Sequence, residues 1–157
     1  LQETAKEMLH NLRETLWAMK SADVPAAGLW LRIINFMKQM ARHYGSIHFK
    51  VEGEAPGNFI ISSAKALHII LLLQEAVNNA VKHASATTIT AESTVTKEGW
   101  NISVTDNGSG FDQTLLKSKQ TDSYGLQNMQ ERATASAIDF SIQSTPEQGT
   151  TVMITIK

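Results

Sequence analysis

The stretch GWNISVTDNGSGF, residues 99 to 111, narrows the possible folds more than any other part of the chain. Trp100, Ile102 and Val104 alternate with polar residues in the period of a half-buried strand, and Asp106 falls in step with them. The Asn-Gly pair that follows is the strongest short-range signal for a tight hairpin. A hairpin needs a returning strand at once, yet FDQTLLKSKQTDS, residues 111 to 123, has no alternating pattern. The hairpin reading fails at its second half. Gly108 and Gly110 are better explained as places where a flat ring lies against the backbone and no side chain can stand. Asp106 points to the apolar face, where an unpaired carboxylate is costly. An exocyclic amino group such as that of adenine would supply the missing donor, and so would a nearby backbone amide.

The rest of the chain sets this strand in one domain. Residues 1 to 20 place Met8, Leu12, Thr15, Leu16 and Met19 on one side of an amphipathic helix, which Ser21 to Pro25 interrupts. A second helix, about 26 to 44, buries Leu29, Ile33, Phe36, Met37 and Met40, and SIHFKVEG then alternates as a strand before a turn around Pro56 and Gly57. A long helix from Ser62 to Ala84, with Ser62 or Ser63 as N-cap, precedes strands at 86 to 95 and 99 to 106. A helix near 125 to 136 and strands at 138 to 144 and 150 to 156 complete the chain. Paired strands with few places for a parallel crossover imply one mostly antiparallel sheet covered by helices on one face.

Composition excludes several classes of function. The net charge of -1 offers no broad basic field, so no nucleic-acid partner is expected. The chain has no cysteine, which removes disulfides and thiolate metal sites and fits a reducing compartment. The aliphatic run IILLL, residues 69 to 73, is far too short to cross a bilayer, so no membrane contact is expected and the expected location is cytoplasmic. A chain that opens LQETAKE, inside a helix, reads as a piece of something longer.

On the long helix Ala66, Ile70, Leu73, Val77, Val81 and Ala84 share one side, which reads as core. Glu75, Asn79, Lys82 and His83 gather on the opposite side. Such a set is most often a solvated helix face. Together, however, these groups suit a metal triphosphate: an Asn oxygen is a hard ligand for Mg²⁺, Lys82 and His83 can meet phosphate charge, and Glu75 can polarise an attacking group. Gly125 at a helix start is a weak anion-site signal, and Gly149-Thr150 before the last strand is weak by itself.

The order of the parts is specific. QEAVNNAVKHA, VTDNGSGF, YGLQNM and QGTTVMITI resemble the N, G1 and G2 boxes and the terminal strand of a sensor histidine kinase's ATP-binding domain, within the GHKL superfamily shared with gyrase. The resemblance runs from about residue 67 to the end. It implies an α/β two-layer sandwich of the Bergerat ATP-binding type, with a mixed, mostly antiparallel sheet, helices on one face and a preceding N-terminal helix. It implies Glu75 as the catalytic carboxylate, Asn79 as the Mg²⁺ ligand, Lys82 and His83 as phosphate neighbours, and Asp106 as the adenine acceptor. Gly108 and Gly110 would floor the adenine pocket, Gly125 would meet the phosphates, and Thr150 would support Asp106. Phe111, Tyr124 and Leu126 would line the same site, and residues 112 to 124 would form a lid.

Residues 1 to 24 resemble the end of a dimerisation helical hairpin, and 25 to 157 the catalytic domain. The resemblance implies ATP and Mg²⁺ as ligands, a homodimer through the hairpin, and a response-regulator receiver domain as partner. The acceptor His of such kinases is usually followed by an acidic residue, whereas His10 is followed by Asn11. Two departures stand out: Ser123 replaces the first glycine of the G2 box, and TASAIDF lacks the usual Gly-Gly before the strand. A GHKL ATPase that activates water, or a nucleotide-binding interaction module without kinase activity, remains an alternative. The absence of Gly-x-x-x-x-Gly-Lys argues against a P-loop enzyme.

Overall fold

The computed structural model describes residues 23 to 83, 85 to 111 and 124 to 157, with backbone alone for 124 to 128. The expected helix over residues 1 to 20, His10, Ala84 and the expected lid, apart from Tyr124, lie outside the described residues.

In chain order the elements are β1 (Asp23–Pro25), α1 (Ala26–His43), β2 (His48–Glu52), β3 (Ile60–Ser62), α2 (Ser63–His83), β4 (Thr88–Thr96), β5 (Gly99–Asp106), α3 (Tyr124–Ala135), β6 (Asp139–Thr145) and β7 (Gly149–Ile156). Five strands form one sheet in the order β2-β4-β5-β7-β6. Every pairing is antiparallel except β2 with β4, which run parallel because the chain crosses back through β3 and α2 between them. The mixed, mostly antiparallel sheet expected from the sequence is therefore present. The small antiparallel ladder of β1 with β3 was not anticipated: Pro25 pairs with Ile60, and a segment read only as a break between helices closes onto the chain ahead of α2.

Alternation along the central strands divides the sheet into a core face and an open face. Ile89 and Ala91, Trp100, Ile102 and Val104, and Val152, Ile154 and Ile156 are buried. Between them Thr105 and Thr151 pair hydroxyls at 3.2 Å, and Thr155 donates to Asn101 at 2.8 Å, on the face away from the helices. The core face is covered by α2, which packs on β5 and β7 and is flanked by α1 and α3.

The start of α2 follows local chemistry. The Ser62 hydroxyl accepts a hydrogen bond from the Lys65 N–H at 3.3 Å, so Ser62 is the N-cap. Ala66, Ile70, Leu73 and Val77 are buried as expected, while Val81 is only partly so. Ile69, Leu72, Ala76 and Ala80 are buried as well. The apolar arc is broader than a one-sided helix needs because neighbouring helices cover its flanks. Arg132 of α3 reaches the His68 ring at 3.4 Å on one of those flanks.

The missing Gly-Gly before β6 has a local solution. Ala137 takes the left-handed conformation itself, with φ 54°. Its N–H meets the Thr134 carbonyl at 3.3 Å and the Ile138 N–H meets the Ala133 carbonyl at 2.9 Å, the hydrogen-bond pair of a Schellman cap. An L-residue there costs about 1 kcal/mol relative to glycine.

Candidate functional site

The candidate site lies where β5 ends. Asp106 is 7% exposed, in step with Trp100, Ile102 and Val104, and paired in register with Ile89 on one side and Thr150 on the other. Its Oδ1 accepts the Gly108 N–H at 2.9 Å, and the Thr150 main-chain N–H also donates to the carboxyl. Burial pushes the Asp106 pKa above its ordinary value, and these two backbone donors oppose the shift without cancelling it. A carboxylate accepts about four hydrogen bonds, so two backbone donors leave capacity for a ligand's amino group. The sequence posed a ligand amino group and a backbone amide as alternatives for Asp106, and the donors the structure supplies are the backbone amides of Gly108 and Thr150.

No hairpin follows. The Asn107 side chain turns back to the start of β4: Oδ1 accepts the N–H groups of Thr87 and Thr88, each at 2.9 Å, and Nδ2 donates to the Thr87 hydroxyl at 2.8 Å. The segment beyond it rests on the β6–β7 turn. The Glu147 N–H donates to the Ser109 carbonyl, and the Phe111 N–H donates to the Ser144 hydroxyl at 2.9 Å. That hydroxyl also lies 2.7 Å from Thr150 Oγ1 and 3.2 Å from the Gly149 carbonyl.

Gly108 is buried beside Asp106, to which its N–H donates. The reason for glycine at 110 differs from the one inferred. Its φ is +62°, and a Cβ would collide with the Thr145 carbonyl oxygen, so protein backbone already demands the glycine there. Gly149, with φ +87°, meets the same constraint against the Asp106 carbonyl. Thr150 supports Asp106 through its main chain, while its hydroxyl is engaged by Ser144.

The second group sits on α2. Glu75 and Asn79 are half-buried, and Lys82 and His83 are exposed in its last turn. Among the described residues, Asn79 Nδ2 is buried without a hydrogen-bond partner. A half-turn of the amide exchanges its nitrogen and oxygen, so this side chain keeps an unspent polar end suited to a hard cation or its water shell. The donor set fits Mg²⁺ in that respect, with Asn79 as the residue that would hold it. Four residues beyond His83, Thr87 meets Asn107, so the end of α2 and the end of β5 lie at one end of the sheet. Gly125 falls in the first turn of α3, as expected. The side chains of Tyr124 and Leu126 lie outside the description, and Phe111 is partly buried.

Asn107 and Ser144 were not among the residues read from sequence. Asn107 was hidden by its resemblance to a hairpin turn. Ser144 carried a signal, because it falls on the same face of β6 as Phe140 and Ile142, where a hydroxyl needs a purpose.

The helix-backed, mixed and mostly antiparallel sheet is the architecture of a nucleotide-binding domain of the Bergerat type. The profile of the histidine kinase-, DNA gyrase B-, and HSP90-like ATPase family matches residues 64–157, and the chain belongs to that family. It is similar to the signal transduction histidine-protein kinase/phosphatase DegS of Brevibacillus brevis, 28% identical over 157 residues, covering 99% of this chain and 39% of that protein. DegS of Bacillus subtilis is 34% identical over 110 residues, covering 70% of this chain and 28% of that protein. The chain thus spans well under half the length of these curated relatives. Among solved structures, a blue-light activated histidine kinase of Erythrobacter litoralis shares the fold with a TM-score of 0.71 at 19% identity, over 98% of this chain and 54% of that one.

Proposed function

We propose that this chain is the ATP-binding catalytic domain of a two-component sensor histidine kinase, binding Mg-ATP and passing the γ-phosphoryl group to a His of a dimerisation helix. The observation that carries this reading is Asp106, a buried carboxylate held by backbone donors with acceptor capacity to spare. Adenine would donate its amino group there, with Gly108 leaving room for the ring. Asn79 would hold Mg²⁺, which when bound would neutralise phosphate charge. Lys82 and His83 would face the phosphates, and Gly125 would offer main-chain N–H groups at the start of α3.

The acceptor imidazole attacks the γ-phosphorus as the bond to the ADP oxygen breaks. Glu75 accepts the N–H on the other side of that ring and so raises its nucleophilicity. A response-regulator Asp then takes the phosphoryl group. We take the acceptor to be a residue other than His10, the parent to be a homodimer through its helical hairpin, and this domain to work in the cytoplasm. Among the described residues no helix is long and apolar enough to cross a membrane.

The test is single-turnover phosphorylation from γ-labelled ATP with the parent's acceptor helix present. Glu75→Gln should keep ATP affinity and lose transfer rate. Transfer at the wild-type rate would remove Glu75 from the chemistry, and failure of the wild-type chain to bind ATP would sink the whole reading.

A further inference from the structure

The two halves of the proposed site stand on different elements, and the connection between them is short. The adenine half is the end of β5, and the metal and phosphate half is the last turns of α2. From His83 at the end of α2 the chain reaches Thr88 at the start of β4 through residues 84 to 87, passing Ser85 in the left-handed conformation at φ 51°. Thr87 and Thr88 are the anchor of that connector. The Thr87 carbonyl accepts the His48 N–H from β2 at 2.8 Å, Thr88 pairs with His48 in the parallel ladder, and Asn107 anchors both residues from the other side.

Asn107 is engaged there on every polar group that faces the connector. Its side-chain oxygen accepts two main-chain N–H groups, its amide donates to the Thr87 hydroxyl, and its own N–H donates to the Thr88 carbonyl at 3.3 Å. Thr87 and Thr88 precede the first pairing of β4 with β5, Ile89 with Asp106. The side chain therefore extends the ladder past the end of β5, at the point where the chain leaves α2. A lone hydrogen bond on an exposed residue would say little. Two short acceptor bonds and a donor bond on one amide fix its plane and tie it to Thr87 and Thr88.

We propose that Asn107 is a positioning residue that sets α2's last turn against Asp106, so that Asn79 and the adenine acceptor address one nucleotide at the same time. This rests on the reading of the site given above. The adenine contact alone needs only Asp106 and its backbone donors, none of which takes part in the Asn107 side-chain hydrogen bonds to Thr87 and Thr88. The metal-dependent contact needs α2 at the right distance. Losing the clamp should therefore weaken the part of nucleotide affinity that Mg²⁺ adds and spare most of the part that adenine supplies by itself.

The experiment is calorimetric titration of this chain with a non-hydrolysable ATP analogue, once with Mg²⁺ and once with a chelator. The readout is the ratio of the two affinities. In Asn107→Ala that ratio should fall about tenfold, the equivalent of losing one to two hydrogen bonds of the clamp, while the metal-free affinity changes by less than about threefold. Asn107→Asp keeps two acceptor oxygens for the Thr87 and Thr88 N–H groups, and the Thr87 hydroxyl can turn to donate. It should restore the ratio even if its added charge lowers both affinities alike. A general structural role would lower both affinities together in Asn107→Ala and would overturn the proposal, as would an unchanged ratio. A wild-type chain that binds the analogue with no gain from Mg²⁺ removes the metal role of Asn79 and this proposal with it. A wild-type chain that binds no analogue at all removes the reading of the site itself.

Discussion

The two ends of β5 each bury a polar group beside the core, and they treat it in opposite ways. At the Trp100 end the indole N–H donates to the Ser93 hydroxyl at 2.6 Å, and that hydroxyl donates to the Glu54 carbonyl at 2.8 Å. The ring is packed edge-on against Trp30 and Phe59, with centroids 6.5 Å and 6.2 Å away. Every polar atom in that chain has its partner, and none faces outward for a ligand. At the Asp106 end the carboxylate has two backbone donors and room for more, and on α2 the Asn79 amide has a buried end with no partner among the described residues. A satisfied buried polar group stabilises the fold, and an incompletely satisfied one marks where something else is meant to bind.

If that contrast holds, damage at the two ends should appear in different measurements. The largest effect is expected from Trp100→Ala, which empties a fully buried ring site and should cost about 3–5 kcal/mol of stability in urea unfolding. The fraction that remains folded should bind ATP with nearly unchanged affinity. A large affinity loss in that folded fraction would show that the two ends are coupled and break the comparison.

Asp106→Ala should do the reverse. Removal of a charge-assisted acceptor should cost roughly 1.5–3 kcal/mol of ATP binding, one to two decades of affinity, while the unfolding midpoint moves far less than in Trp100→Ala. Calorimetry with wild-type affinity would take Asp106 out of the site. A smaller change, about 1–2 kcal/mol of stability, is expected from Ser93→Ala, because it leaves the buried Trp100 N–H without its acceptor. ATP affinity should again stay put.

The smallest and most diagnostic effect is on pH dependence. Asp106 holds its proton to higher pH in the folded chain than in the unfolded one. Between the ordinary carboxylate value and the raised one, the folded state binds more protons, so Asp106's contribution to stability rises as pH falls through that window. ATP affinity should move the other way, rising with pH as the carboxylate ionises and becomes the better acceptor. Trp100 and Ser93 have no proton to exchange there, so Ser93→Ala should lower stability by the same amount across the window. Parallel pH curves for affinity and stability would contradict the assignment of Asp106.

Much of the candidate site was proposed without coordinates, because the placement of its residues along strand and helix depends on phase. A strand's period of two placed Asp106 among Trp100, Ile102 and Val104, and a helix's period placed Glu75, Asn79, Lys82 and His83 together. The same local rules suggested Ser62 or Ser63 as the cap, of which the structure uses Ser62, and a helix starting near Gly125, which begins at Tyr124. They misled where one residue pair has two uses. Asn107-Gly108 has the chemistry of a hairpin turn, and the missing second strand showed only that it was not one. What Asn107 does instead depends on Thr87, twenty residues earlier. Likewise the absence of a side chain at Gly110 was visible, but its reason, the Thr145 carbonyl, was not.

By itself, then, the sequence determined the longer described helices, the strands of the main sheet, the phase of the side chains along them and the order of the nucleotide-binding motifs, since these follow from backbone periods of two and 3.6 and from short local patterns. Only the tertiary structure decided which strands pair, that β2 lies parallel to β4, that β1 closes on β3, and that Ser144 meets the Phe111 N–H from thirty-three residues away. Those outcomes depend on groups brought together by burial of the common core. No local period encodes which distant partner will satisfy a buried polar atom, and the chain settles that only when water is excluded and each such atom must find one.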